Sequence, residues 1–232
     1  MSKEIQHLTK AVVLLSGGLD SATALAWALD QGWACTTLSF NYGQRHDVEL
    51  QAAVKIADIY GITDHRVIDV SLGVIGGSAL TSSLDVPKDL PESSEIPVTY
   101  VPARNLVFLS LAAGLAETVG AMKIVIGANV VDYSGYPDCR PDFLSAFETV
   151  ANLGTKAGAE GQRFEVVAPL ICLDKSEIIR LGLSLGVDYG LTRSCYDPDT
   201  YGNPCGHCDS CLFRKSGFDK LGEKDPLNYR DS

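Results

Sequence analysis

An apolar run, Ala11-Val12-Val13-Leu14-Leu15, leads directly into Ser16-Gly17-Gly18-Leu19-Asp20-Ser21 and then into residues with helical spacing. A buried strand, a glycine turn flanked by hydroxyls and a helix start, in that order, leave few ways to fold. Two adjacent glycines let the backbone turn tightly and approach a ligand with no Cβ between them. The first helical N–H groups lack intrahelical partners, and the positive end of the helix dipole lies behind them. Ser16 and Ser21 add hydroxyl donors, so the segment reads as a cradle for phosphate or pyrophosphate.

Glycines after a strand also make purely structural turns, but the ordered set of strand, S-G-G-x-D-S and helix favours phosphate. Two other phosphate motifs fail. A Walker A loop needs Lys-Ser or Lys-Thr after its last glycine, where this chain has Leu19-Asp20. The dinucleotide fingerprint G-x-G-x-x-G is absent. What remains resembles the PP-loop of the N-type ATP pyrophosphatases, a superfamily that splits ATP between its α and β phosphates to adenylate a carbonyl oxygen.

Further apolar, β-branched runs at 34–40, 66–70, 123–127 and 164–168 join the first at 11–15 as expected strands. Helical patterns separate them: Ala22, Leu25, Ala26 and Leu29 share one face, as do Leu50, Ala53, Val54 and Ala57. Residues 103–119 are apolar nearly all round, which predicts a helix buried on most sides. Asp174-Lys175-Ser176-Glu177 has the form of a capping box, continued by Ile178, Leu181 and Leu185. The expected fold class is α/β, an open parallel sheet with helices on both faces. Ligands of such sheets bind beyond the carboxyl ends of the strands, where Ser16 to Ser21 would lie. A phosphate-binding domain is expected over 1–188, with 71–101, rich in Gly, Ser, Pro and acid, as a lid or a subunit-contact loop.

Composition limits the partners. Nineteen basic against twenty-nine acidic residues give a net charge of −10, and no dense Lys/Arg cluster breaks that sign. Such a surface repels nucleic acid, so small substrates are expected. No apolar signal core opens the sequence, and the most apolar stretch, 106–116, is too short to span a bilayer. A cytoplasmic protein with no membrane partner is expected.

Four of the seven cysteines, Cys195, Cys205, Cys208 and Cys211, crowd into seventeen residues. In a reducing compartment that clustering reads as a metal site. Four soft thiolates suit one structural zinc ion per chain with no open position, and an iron–sulfur cluster is the competing reading. A complete cysteine set leaves His207 to the surface. Residues 189–232, poor in apolar side chains, are expected to form a small C-terminal zinc-bound subdomain.

Three more segments carry chemistry. Asn41-Tyr42-Gly43-Gln44-Arg45-His46 follows the second strand, where its Tyr, Gln and His reach adenine, ribose or substrate, or cap the next helix. Tyr100-Val101-Pro102-Ala103-Arg104-Asn105 puts Arg104 in a first helical turn, where the dipole disfavours a cation. An Arg aimed at a carboxylate or phosphate resolves that conflict, as does an exposed one. Asp132-Tyr133-Ser134-Gly135-Tyr136-Pro137-Asp138-Cys139-Arg140-Pro141 packs carboxylates, phenols, a hydroxyl and a guanidinium at the sheet edge, which fits recognition of a polar heterocycle. No His lies nearby in sequence to make Cys139 a nucleophile. Lys175, at a helix start, reaches ATP phosphates or stays solvated.

Taken together, these segments and the four-cysteine tail resemble the 7-cyano-7-deazaguanine synthase family over residues 11–211. The resemblance implies an adenine nucleotide alpha hydrolase-like fold, a homodimer, structural zinc, and ATP with Mg2+. It implies 7-carboxy-7-deazaguanine and ammonia as substrates, and C–N ligation ending in a nitrile of queuosine biosynthesis. The nucleotide-binding stretch would be Leu14, Leu15, Ser16, Gly17, Gly18, Leu19, Asp20, Ser21, Ala22, Thr23 and Ala24. Ser16, Asp20, Ser21 and Lys175 would act in catalysis. Tyr42, Gln44, Arg104, Asn105, Asp132, Ser134, Tyr136, Asp138 and Arg140 would bind the substrate. Rival readings are a tRNA-thiolating PP-loop enzyme, for which the charge is wrong, and NAD or GMP synthetase chemistry, whose glutamine-hydrolysing domain is missing. A zinc-containing nucleotide sensor without turnover is a third.

Overall fold

The computed structural model describes residues 8–89, 95–131 and 136–230. Five parallel strands, β1 (Lys10–Leu14), β2 (Ala34–Asn41), β3 (His65–Asp69), β4 (Lys123–Val125) and β5 (Glu165–Val167), form one sheet in the order β3-β2-β1-β4-β5. All five lie within two residues of the runs expected from composition. The helices are α1 (Leu19–Asp30), α2 (Val48–Ile59), α3 (Arg104–Val119), α4 (Pro141–Gly154), the single turn α5 (Lys156–Ala159), α6 (Lys175–Ser184) and α7 (Asp209–Leu221).

Side chains alternate across the sheet, so each strand feeds two cores. Val12 and Leu14 join Leu38, Phe40 and Ile124 under α3 and α4. Ala11, Val13 and Leu15 join Val125 under α1, α2, α6 and α7. Val12 and Val13 are both 0% exposed, and each such side chain contributes about 1.5–3 kcal/mol through burial. A strand packed on both faces needs a continuous apolar run, and Ala11 to Leu15 supplies it.

Strand order reverses between β1 and β4, which opens a crevice at their carboxyl ends. Close approach of α1 to this crevice requires two glycines. A Cβ at Gly17, whose φ is +89°, would lie 2.1 Å from the carbonyl oxygen of Glu49, and one at Gly127 would lie 2.9 Å from the Asp20 backbone. Asp174 and Glu177 form the expected reciprocal capping box at the start of α6.

Two helical faces differ from the expectation. Helix α2 buries Ala52, Ala53, Ile56 and Ala57 and leaves Val54 50% exposed. Small alanines let α2 pack closely, which turns the helix about one residue from the face that the larger Leu50 and Val54 had marked. Helix α3 is not buried on most sides: Leu106, Ser110, Gly114 and Thr118 form an exposed strip. Its apolar composition overstates its burial.

The segment 71–101 closes on itself through Ala79 N–H to the Val98 carbonyl (2.8 Å) and Ser78 Oγ to the Thr99 carbonyl (3.3 Å). Lys88 pairs with Asp197 at 2.9 Å, and the Asp89 N–H donates to the His207 carbonyl at 2.9 Å. In the tail, Phe218 meets Tyr189 edge-on at 5.8 Å within the core that holds α1 and α6. Arg214, almost fully buried, pairs with Asp225 at 2.8 Å and donates to Thr192 Oγ1 at 2.7 Å. No helix of the described residues is long and apolar enough to cross a membrane.

Candidate active site

Ser16 to Ser21 wrap the amino end of α1. Gly18 occupies the N-cap position without a side-chain cap, and the first intrahelical bond runs from Ala22 N–H to the Gly18 carbonyl at 3.1 Å. The amides of Leu19, Asp20 and Ser21 therefore have no carbonyl of their own helix to bond, and they sit at the positive end of its dipole. Hydroxyls brace the turn: Ser16 Oγ to Ser21 Oγ spans 3.0 Å, Ser21 Oγ donates to the Gly18 carbonyl at 3.1 Å, and the Gly18 amide donates to Ser16 Oγ at 3.3 Å.

Leu14, Leu15, Ser16, Gly18, Leu19, Asp20 and Ser21 line one cavity at the β1/β4 crevice. Ala22, Thr23 and Ala24 do not line it. They are buried in α1, with Thr23 Oγ1 donating to the Leu19 carbonyl at 2.9 Å and bonded to Tyr189 Oη at 2.8 Å. The helix turns those three into the core, so the stretch facing the cavity is shorter than the sequence reading.

Lys175, at the capped start of α6, places Nζ 2.7 and 2.9 Å from the carboxylate oxygens of Asp20, and Asn129 Nδ2 donates to the same carboxylate at 3.4 Å. Across the cavity stand Tyr42, Gln44, Arg104, Asn105 and Tyr136. Gln44 accepts from the Tyr42 amide at 2.8 Å, fixing the turn after β2. Phe40 and Phe108 stack at 3.9 Å to floor this end, and Tyr42 leans on Phe108 at 5.6 Å. Burial pushes the Tyr42 phenol up to about 12.

Arg104 does sit in the first turn of α3. Burial works against its charge, but the phenols of Tyr42 and Tyr136 more than offset it, and the guanidinium stays ionised. Ala103 before it takes a left-handed φ of +55° and offers no cap. The cap comes from elsewhere: the Asn105 amide donates to Asp138 Oδ2 at 2.9 Å, and Asn105 Nδ2 donates to the Asp138 carbonyl at 3.1 Å.

Asp138 is therefore occupied as an N-terminal cap of α3 and does not line the cavity, unlike the substrate contact expected of it. Its carboxylate also relieves the helix end that carries a cation. Arg140 likewise stays outside, exposed at the N-cap of α4 ahead of Pro141. Asp132 and Ser134 lie outside the described residues. Cys139 does line the cavity, but burial pushes its thiol up to about 11, so it is neutral and a poor nucleophile.

Several cavity residues were not singled out from sequence. Glu49 in the first turn of α2 lines the cavity, and burial pushes its carboxyl up to about 7 against the pull of Arg104. His46, unlike Glu49, was named in the sequence with Tyr42 and Gln44; it lines the cavity and contributes a buried Nε2 with no hydrogen-bond partner. Ser194, Cys195 and Tyr196 of the cysteine segment form part of the wall. An acid three residues after a His at a sheet edge was the available signal for Glu49. No sequence signal brought the cysteines to the cavity.

The sulfurs of Cys195, Cys205, Cys208 and Cys211 are all buried and lie within 4.8 Å of one another. The Cys195–Cys208 and Cys205–Cys211 sulfur pairs are 4.0 Å apart. That is near the edge of ~3.8 Å expected of a tetrahedron with metal–sulfur bonds of about 2.3 Å, and far beyond a disulfide. Backbone amides of Cys205, Cys208 and His207 donate to these sulfurs at 3.2–3.4 Å, as thiolates require. The four sulfurs could hold one metal ion and would leave it no open position. His207 stays outside it, its Nδ1 3.0 Å from Asp89.

Known proteins of the same type bear on this arrangement. Two solved structures share the fold: an NMN synthetase from Francisella tularensis (TM-score 0.51, 17% identity, 93% of this chain and 78% of that one) and a 4-thiouridine synthetase–RNA complex with bound ATP (TM-score 0.52, 22% identity, 91% and 53%). Far closer in sequence are proteins named 7-cyano-7-deazaguanine synthase. The chain is 59% identical to that of Myxococcus xanthus over 226 residues (96% of this chain, 98% of the relative) and 60% identical to that of Stutzerimonas stutzeri over 221 (95% and 98%). The sequence profile of the family described as "Queuosine biosynthesis protein QueC" matches residues 10–222. With a PP-loop at the sheet's switch point and a four-cysteine cluster fit for a metal beside the cavity, this chain belongs to the QueC family of queuosine biosynthesis.

Proposed function

We propose that this protein is an ATP-dependent ligase that converts 7-carboxy-7-deazaguanine and ammonia into 7-cyano-7-deazaguanine. The observation that carries the reading is the convergence on one cavity of the uncapped α1 terminus, the Asp20–Lys175 pair and Arg104. A carboxylate is a poor electrophile, so its oxygen must first become a leaving group. The amides of Leu19, Asp20 and Ser21 hold the diphosphate of ATP and stabilise it as it departs. Asp20 would hold Mg2+, which would screen the polyphosphate, and Lys175 would then be free to neutralise phosphate charge. Arg104 holds the acid's carboxylate against the α-phosphorus, and the Phe40–Phe108 floor accepts a flat ring. Ammonia then displaces AMP to give the amide. The amide oxygen attacks a second ATP in the same cavity, and loss of AMP leaves the nitrile. Both rounds put a carbonyl-type oxygen against an α-phosphorus, which is why one site serves twice.

Zinc is the ion that the four thiolates fit, as a structural centre that stiffens the cavity wall. The segment 71–101, whose Leu80 lines the cavity, is its cover, and residues 189–232 form the metal-bound subdomain attached to a domain over 1–188. A cytoplasmic homodimer completes the reading, with the exposed strip on α3 as available contact area. The test is release of pyrophosphate that depends on both the acid and ammonia, with mass spectrometry of the base. A product 19 mass units below the acid, about the loss expected when a carboxylic acid becomes a nitrile on exchange of two oxygens and one proton for nitrogen, supports it. ATP binding without turnover would instead mark a sensor.

A further inference from the structure

The proposed chemistry removes three protons from nitrogen, one in the first round and two in the second, and no group assigned a role so far accepts them. When ammonia attacks the acyl adenylate, a C–N bond forms, the C–O bond to AMP breaks, and one N–H proton must leave. When the amide oxygen attacks ATP, pyrophosphate leaves and one N–H proton is lost to give the imidate; when that imidate collapses to the nitrile, AMP leaves with the C–O electron pair and the last N–H proton must leave. Lys175 is committed as a cation, to Asp20 at rest and to phosphate during the reaction, and Arg104 cannot act as a base at neutral pH.

Glu49 meets the requirement by position. Its backbone carbonyl packs directly on Gly17, so its side chain starts beside the phosphate loop. The carboxylate lines the cavity and makes no hydrogen bond or ion pair within 4 Å of another described residue. The titratable groups facing it are Tyr42 from the turn after β2, His46 one helical turn earlier, and Arg104 from α3. Asp20 and Lys175 line the same cavity. Resting on the synthase reading above, we propose that Glu49 is the general base that takes the proton from nitrogen in both rounds. Its carboxyl, held by burial at about 7, is a far better base than an ordinary glutamate and is still half ionised near neutrality. Arg104 prevents full neutralisation.

The test separates activation from nitrogen chemistry in Glu49→Gln. Acid-dependent exchange of labelled pyrophosphate into ATP, which needs no ammonia, is expected to stay within about threefold of the parent. Conversion of the acid to amide, and of supplied amide to nitrile, is expected to fall by roughly 10²-fold or more. With unprotonated ammonia held constant, the parent rate should rise with pH through about 7, and the variant should lose that rise. Glu49→Asp should recover part of the rate. Unchanged amide and nitrile formation, a retained rise with pH, or a raised KM for the acid at unchanged kcat would each overturn the proposal. Loss of pyrophosphate exchange in the folded variant would overturn it too. Absence of exchange in the parent would instead remove the synthase reading itself.

Discussion

Lys175 Nζ grips both carboxylate oxygens of Asp20, at 2.7 and 2.9 Å, and so ties the start of α6 to the first turn of α1 across the phosphate loop. The pair sits at the cavity wall, with Lys175 nearly buried and Asp20 partly open. Asp20→Asn keeps the shape and the hydrogen bond but removes the charge that would hold a divalent ion. Turnover measured by pyrophosphate release should fall by about 10²–10³-fold while the circular dichroism spectrum is retained. Full activity would rule out a role for Asp20 in organising the phosphates.

Gly17→Ala tests the loop's backbone. Its φ of +89° disfavours any side chain, and the new Cβ would meet the Glu49 carbonyl at 2.1 Å and the Ala53 amide at 2.8 Å. Backbone cannot yield as a side-chain tip can, so α2 must move. A loss of about 1–3 kcal/mol in urea unfolding is expected, with weakened ATP binding by calorimetry. A variant as stable as the parent would show that the loop is looser than described.

Cys208→Ser should remove one ligand from the buried set, lower bound zinc by elemental analysis and reduce the melting temperature. Because Cys195, Ser194 and Tyr196 also form cavity wall, chelation should weaken ATP or acid binding as well as stability. Full metal content in the variant, or unaltered binding after chelation, would count against these assignments.

Arg214 and Asp225 form a buried pair, and removing one partner leaves an uncompensated charge. Arg214→Leu should cost about 3–5 kcal/mol at pH 7. The pH dependence has a definite sign. Burial works against the Asp225 carboxylate, yet hydrogen bonds from Arg214 and Tyr229 hold it below the ordinary range. A depressed value contributes stability above the unfolded carboxylate's pKa of about 4 that is lost as pH falls through the folded one. The gap between variant and parent in urea titrations should therefore narrow in acid; a constant gap would refute the pairing as its source.

Legibility in the sequence followed the physics of each element. Ala11 to Leu15 and the glycine turn were readable because a doubly covered strand and a phosphate loop each demand particular residue types locally. Asp174 to Glu177 was readable because a capping box is closed within four residues. The cysteine cluster was readable from spacing; that Cys195 reaches the cavity wall was not, since it depends on the chain returning past the phosphate loop, where the Arg193 amide donates to the Gly17 carbonyl. Asp138 looked like a ligand group because sequence cannot show that Ala103 adopts a left-handed turn and leaves α3 in need of a distant cap. Glu49 was passed over because the alanines that set the rotation of α2 carry less apolar weight than the Leu50 and Val54 beside them.

The packing of α7 has a temporal consequence. Phe218 belongs to the core shared by α1 and α6, and Arg214 bonds the turn at Tyr189, so a core opened by α1 is closed only by a helix far along the chain. During translation the sheet must wait, half-roofed, until residues past 209 leave the ribosome. A message cut short of that point is expected to yield a chain with an open flank for chaperones and proteases to find.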